Sequence, residues 1–210
     1  MELSEIFYSL QGESSYAGLP CVFVRLAGCN LRCTYCDTQY AYEPEFTLSI
    51  EDIVKEVEKY HPVKLVEITG GEPLLQAKSI ELMKLLLKEN YDVLLETNNS
   101  ISLKDVPKEV IKIVDFKTPS SGMSDKTLWD NIQYFQEKDE LKFVIADRQD
   151  FDWAMEVIRK YDLQKKTILF SPVYNILAKK VLAQWILETK LPIRLNMQLH
   201  KLIWEVERGK

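Results

Sequence analysis

Cys29-Asn30-Leu31-Arg32-Cys33-Thr34-Tyr35-Cys36 gathers three of the four cysteines of this 210-residue chain into eight positions, at C-x3-C-x2-C spacing. Three thiolates can hold three irons of a 4Fe–4S cubane and leave the fourth iron open, whereas four-cysteine ligation is the usual arrangement. Such a site is suited to bind something else on the open iron. A disulfide framework fits poorly: cysteines are sparse, and Met1 is followed by the polar run Glu2-Leu3-Ser4-Glu5 rather than a secretory apolar segment. Structural zinc normally takes two cysteine pairs, or one pair and two histidines. Here there is one C-x2-C, and His61 and His200 lie far away. The cysteines alone favour an iron–sulfur cluster over zinc. Cys21, in an apolar run, reads as a buried small hydrophobe.

Outward from that loop, apolar runs alternate with helical patterns. Strands are expected at Cys21–Leu26, Leu65–Thr69, Val93–Thr97, Ile113–Lys117, Leu141–Ile145, Thr167–Ser171 and Ile193–Gln198. Their near-continuous apolar character predicts burial on both faces. Helices are expected over Ile50–Tyr60, Ser79–Glu89, Lys126–Gln136, Phe151–Tyr161 and Ala178–Thr189, with Ser49 and Asp52 as a capping pair before the first. The alternation implies right-handed βαβ units and a parallel sheet. Between Thr97 and Ile113 there is no room for a long crossover helix. A full eight-fold barrel usually needs ~250 residues. The expected fold is therefore α/β, an incomplete, pared-down (β/α) barrel, with residues 1–210 forming one domain.

Hydrophobic residues make up 46% and charged residues 28% of the chain, a globular composition. The net charge of −5 argues against a large nucleic-acid footprint. No apolar run approaches the ~18 residues of a membrane span. A small-molecule substrate and a cytoplasmic location are the default expectations. Polar clusters fall at the carboxyl ends of the expected strands: Thr69-Gly70-Gly71-Glu72-Pro73, Glu96-Thr97-Asn98-Asn99, Lys117-Thr118-Pro119-Ser120-Ser121-Gly122 and Ser171-Pro172-Val173. Parallel α/β sheets place their ligands there. Any one cluster reads as an ordinary turn; together they read as a ring around one site.

The cysteine loop, with Tyr35 just before its last cysteine, and Gly70-Gly71-Glu72-Pro73 after the next strand resemble the radical S-adenosylmethionine (SAM) superfamily. Over residues 8 to about 204 the chain resembles, more closely, the 7-carboxy-7-deazaguanine synthase family of queuosine and 7-deazapurine biosynthesis. The segments that carry this are Tyr8-Ser9-Leu10-Gln11-Gly12-Glu13, Phe23-Val24-Arg25-Leu26-Ala27-Gly28, Cys36-Asp37-Thr38, Asp115-Phe116-Lys117 and Gln198-Leu199-His200-Lys201. The resemblance implies a carbon–nitrogen lyase acting on 6-carboxy-5,6,7,8-tetrahydropterin. Hydrogen abstraction at C6 starts a ring contraction, ammonia leaves, 7-carboxy-7-deazaguanine forms, and SAM is regenerated. It also implies Mg²⁺, a low-potential reductant such as flavodoxin or ferredoxin, a homodimer, and a C-terminal segment that closes over the site. The helix expected at Ala178–Thr189 could serve as the dimer face or as core.

Carried onto this sequence, the resemblance gives Cys29, Cys33 and Cys36 to the cluster and Thr38 to Mg²⁺, an ion that takes octahedral oxygen ligands and keeps waters. SAM is expected to meet Tyr35, Gly71, Glu72, Glu96, Lys117, Ser120 and Lys142. Lacking a Cβ, Gly70 and Gly71 would let backbone approach its methionine end, and Glu72 offers a carboxylate to its ammonium. The pterin is expected at Leu10, Gln11, Gly12, Arg25, Thr69 and His200. A guanidinium binds a carboxylate bidentately, and a Gln amide matches a donor–acceptor edge. Ser14 stands where many relatives have glycine, and Tyr35 where many have tryptophan. Two other readings stay open: a radical SAM activase that acts on a protein, and a non-enzymatic metal-binding module.

Overall fold

A computed structural model describes residues 1–204, 208 and 209. Nine strands form a single sheet: β1 (Glu2–Leu10), β2 (Pro20–Leu26), β3 (Phe46–Thr47), β4 (Leu65–Gly70), β5 (Asp92–Thr97), β6 (Ile111–Phe116), β7 (Glu140–Ile145), β8 (Thr167–Pro172) and β9 (Ile193–Leu195). Their order is β3-β1-β2-β4-β5-β6-β7-β8-β9. From β2 to β9 every pairing is parallel, while β1 runs antiparallel to both β2 and β3. The helices are α1 (Ile50–Glu58), α2 (Lys78–Lys88), α3 (Arg148–Lys160), α4 (Lys179–Thr189) and α5 (Leu199–Ile203). At the start of α1 the Ser49 hydroxyl accepts from Asp52 N–H, as its sequence signal implies. None of the helices is long and apolar enough to cross a membrane among the described residues.

The strands alternate more sharply than their apolar look implied. Val22, Val24, Val66, Ile68, Val93, Leu95, Val114, Phe116, Leu141 and Phe143 belong to the large core packed beneath the helices. The opposite face begins as a small apolar layer of Cys21, Phe23, Leu65, Leu94 and Ile113. It then turns polar toward the strands' carboxyl ends, through Arg25, Glu67, Thr69, Glu96, Asp115 and Lys142, all of which line one cavity. In a strand successive side chains face opposite ways, so two further positions along each strand carry that face from core to site.

The open sheet is bridged by chain rather than by strand pairing. After β1, Ser14 N–H donates to Asn196 Oδ1 at 2.9 Å and Ser15 N–H to the Glu140 carboxylate at 3.0 Å. Leu199 N–H donates to Gly12 O at 2.7 Å, seating α5 on the same segment. The expected helix over Lys126–Gln136 is absent; short 3-10 turns at Ser124–Lys126 and Trp129–Tyr134 take its place. Asn131 explains this. Its amide accepts from Leu103 N–H and donates to Asn99 Oδ1 and Ile101 O, pinning the segment to the helix-free connection after β5. The strand expected over Ile193–Gln198 ends at Leu195.

Candidate active site

The cysteine loop follows β2 and has no regular structure, so its shape comes from what it docks on. Gly28 N–H donates to Ala41 O at 2.8 Å, and Cys36 N–H to Cys33 O at 3.2 Å. Thr34 N–H donates to Ser121 O at 3.1 Å and its hydroxyl to Ser120 O at 2.6 Å. All three thiols are free, half-buried, and open into the same cavity of about 710 Å³. Leu31 N–H (3.4 Å) and the Asn98 side-chain amide (3.9 Å) point at Cys29 Sγ. Hydrogen bonds to sulfur are among the features that set a cluster's potential. Burial pushes the Cys29 and Cys33 thiols above their usual pKa, so loading a metal here displaces protons. Among the described residues no three His, Cys, Asp or Glu groups converge as a single metal ion requires. Three thiols that each serve a separate iron of a cubane are spaced more widely than that. The donor set fits the cluster.

Gly70 and Gly71 do something other than leave room for a ligand. A Cβ on Gly71 would collide with Gly28 O and stand 2.7 Å from Cys29 Cβ, and one on Gly70 would run into the Leu26 backbone. The loop after β4 is packed backbone-to-backbone against the cysteine loop, sealed by Glu72 N–H to Gly28 O at 2.8 Å and Gly71 N–H to Leu26 O at 3.2 Å.

The Glu72 side chain corrects an expectation. It is fully buried and outside the cavity wall. Its carboxylate accepts from Leu74 N–H at 3.0 Å, Asn98 N–H at 2.7 Å and the Thr97 hydroxyl at 2.9 Å. Burial lifts its pKa to about 7 against those donors. Glu72 therefore clamps two strand-end loops together. Ser120 also turns away from the cavity. Its hydroxyl meets Asp147 at 3.2 Å and its N–H meets Asp150 at 2.9 Å, while its carbonyl holds Thr34.

The remaining expected residues line that same cavity: Leu10, Gln11 and Gly12 at the end of β1, Arg25 from β2, Tyr35 and Thr38 from the cysteine loop, Thr69 from β4 and Gly71 just after it, Glu96 and Lys117 at the ends of β5 and β6, Lys142 from β7 and His200 from α5. Lys142, almost wholly buried, pairs with Glu13 at 3.1 Å, with Glu96, and with Asp115 at 3.8 Å. Burial works against its charge, but those carboxylates outweigh it and hold its pKa well above the usual lysine value. Lys117 pairs with Asp115 at 2.7 Å. Arg25 gives Nε–H to Glu5 at 2.7 Å, and its guanidinium lies 5.9 Å from the rings of Phe7 and Tyr40. Among the described residues its terminal nitrogens have no partner. Tyr35 gives its hydroxyl to Val144 O at 3.3 Å and shares a 3.1 Å contact with the Thr118 hydroxyl. Thr38 donates to Asp37 Oδ1 at 2.9 Å. His200 packs its ring on Gly12, where no Cβ would fit, and burial lowers its pKa.

Glu13, Glu67, Asn98, Asp115, Asp37 and Lys201 also line the cavity and were not singled out from sequence. Glu13, Asp37, Asn98, Asp115 and Lys201 stand inside segments that were. Glu67 had a signal of its own: a carboxylate in the middle of the apolar strand Leu65–Thr69, where charge is rare unless paired.

A profile of the Radical SAM superfamily matches residues 24–170. The fold and the three-thiol loop thus define a radical SAM enzyme, a class that works with a 4Fe–4S cluster and SAM. The chain is 43% identical to the 7-carboxy-7-deazaguanine synthase of Koribacter versatilis, across 99% of this chain and 98% of that one. It is 43% identical to the enzyme of that name from Chlorobaculum tepidum, across 97% and 94%. The crystal structure of QueE from Escherichia coli superposes with a TM-score of 0.79 at 22% identity, covering 95% of this chain and 94% of that one, which confirms the fold. The chain belongs to the 7-carboxy-7-deazaguanine synthase family.

Proposed function

We propose that this enzyme converts 6-carboxy-5,6,7,8-tetrahydropterin into 7-carboxy-7-deazaguanine and ammonia. One observation carries this: the three thiols and Gln11, Arg25, Thr69 and His200 line the same cavity. Its volume of about 710 Å³ lies within the ~300–1,000 Å³ of ligand pockets. The balance needs no net oxidant, because the substrate less one ammonia is the product.

Cys29, Cys33 and Cys36 would hold the cluster, which when bound supplies the electron that cleaves SAM and so starts hydrogen abstraction at C6. The chain's own residues do the rest. Tyr35, Gly71, Asn98 and Lys117 line the cavity with the thiols; Tyr35 is fixed there by its bonds to Thr118 and Val144. Arg25, whose terminal nitrogens have no partner among the described residues, receives the substrate carboxylate. Its Glu5 bond and its flanking rings hold the guanidinium in place, which fixes the ring that carries C6. Lys142, held charged among Glu13, Glu96 and Asp115, puts an ammonium in the cavity wall that can give a proton to the departing amine. Residues 11–14 and His200, joined by the bond from Leu199 N–H to Gly12 O, form another part of the wall. Thr38 would offer its hydroxyl to Mg²⁺, which would supply positive charge beside the substrate oxygens. A low-potential flavodoxin or ferredoxin as electron donor, a homodimer, and a thiol-preserving cytoplasmic setting complete the reading, with residues 1–210 working as one domain.

The test is anaerobic turnover of the reconstituted enzyme with reductant, SAM, Mg²⁺ and the tetrahydropterin. The reading expects 7-carboxy-7-deazaguanine by mass spectrometry. SAM cleavage without product would instead favour a protein substrate, as in an activase.

A further inference from the structure

We propose that Glu67 determines specificity for the 2-amino edge of the bicyclic substrate, resting on the pterin reading above. Glu67 sits in mid-β4, its side chain in the cavity wall and only 4% exposed. In register it faces Phe23 on one side and Leu94 on the other. A carboxyl between two apolar side chains is costly unless it is hydrogen-bonded. Every other carboxylate lining the cavity has a cation: Glu13 and Glu96 have Lys142, Asp115 has Lys117, and Asp37 has Lys201. Among the described residues Glu67 has none. Its partner is the Gln11 amide, whose Nε2 donates to Glu67 Oε2.

That bond leaves a defined remainder. Gln11 Oε1 is already taken by Glu13 N–H at 2.9 Å, so the amide cannot flip. Gln11 keeps one N–H, and Glu67 keeps the acceptor capacity of its other oxygen, side by side at the cavity floor. Burial and the neighbouring Glu96 push the Glu67 pKa well above the ordinary value, in keeping with a carboxyl short of donors. A 2-amino-4-oxo pterin supplies what is missing. Its N3–H and 2-amino group donate to Glu67, and its 4-oxo oxygen accepts from Gln11. Arg25 lies two positions further along the neighbouring strand than Phe23, nearer the thiol end, leaving the opposite edge of the ligand for Glu67.

Replacing the 2-amino group by oxygen turns a donor into an acceptor facing an acceptor. Glu67→Gln has the converse effect: its oxygen still serves Gln11, and its –NH2 now faces the ligand. The experiment measures dissociation constants of 6-carboxypterin and 6-carboxylumazine, its 2-oxo counterpart, for the reconstituted SAM-bound enzyme and for Glu67→Gln. A buried polar group left unpaired is worth roughly 10- to 100-fold in binding. The wild type is expected to prefer the pterin by about 10-fold or more, and Glu67→Gln to lose or reverse that preference. A variant that keeps the wild-type preference overturns the proposal. So does a wild type that binds both ligands equally, a comparison that needs no variant to fold. A wild type that binds neither overturns the pterin reading itself.

Discussion

Alanine at position 71 separates two explanations of the glycine pair after β4. Gly71 needs no left-handed backbone, so an alanine there is acceptable in conformation and its effect is steric. The new Cβ meets backbone on one side and Cys29 Cβ at 2.7 Å on the other, about 0.7 Å short of the 3.4 Å at which ordinary contact begins. Backbone cannot swing aside, so the two loops must part and stretch the 2.8 Å bond from Glu72 N–H to Gly28 O. Overpacking of this kind costs ~1–3 kcal/mol, and an unpaired buried amide ~1–3 kcal/mol more. For a chain of this size each kcal/mol is worth ~2–4 °C in Tm, so Gly71→Ala should melt about 4–24 °C lower. Because Cys29 itself is displaced, iron and sulfide bound per chain after anaerobic reconstitution should fall as well. A variant that loads a full cluster and melts with the wild type, but binds SAM poorly, would refute the packing argument and return Gly71 to a cofactor-approach role.

Glu72→Ala strands three buried donors, and a melting experiment should show a loss of at least ~3 kcal/mol; unchanged melting with weakened SAM binding would make Glu72 a cofactor contact. Ser120→Ala should leave the SAM dissociation constant within about twofold, since the hydroxyl faces Asp147 and an exposed hydrogen bond is worth little; a larger loss of SAM affinity would contradict that placement. Arg25→Ala should weaken tetrahydropterin binding by ~10- to 100-fold, the value of a charge-assisted pair, while sparing uncoupled SAM cleavage; unchanged substrate affinity would remove Arg25 from the site. Thr38→Ala should abolish the Mg²⁺ stimulation of turnover, and retained stimulation would exclude Thr38 as a ligand.

The parallel strands from β2 onward were legible because their outer faces are continuous apolar runs, and each ends on a polar turn. β1 was not. Glu2-Leu3-Ser4-Glu5 mixes polar and apolar residues, and the pairing with β2 is irregular between Leu3 and Glu5. The Lys126–Gln136 error has a physical source. Leu128, Trp129, Ile132 and Phe135 have helical spacing, yet Asn131 spends its hydrogen bonds on the Asn99–Leu103 segment. The segment still packs Trp129 and Phe135 against Phe116. Within the site, sequence located the strand ends but not the direction of each side chain. Glu72 and Ser120 stand in the right loops and face away from the cavity. Glu67 is a mid-strand residue that only the alternation of β4 brings to the floor.

A deuterium label at C6 of the tetrahydropterin puts the shared cavity to the test, since the thiol end and the pterin end must present SAM and C6 to each other. The account expects deuterium in the SAM recovered after turnover, together with label-free 7-carboxy-7-deazaguanine at the former C6. Product formed with no deuterium in SAM or 5′-deoxyadenosine would contradict it.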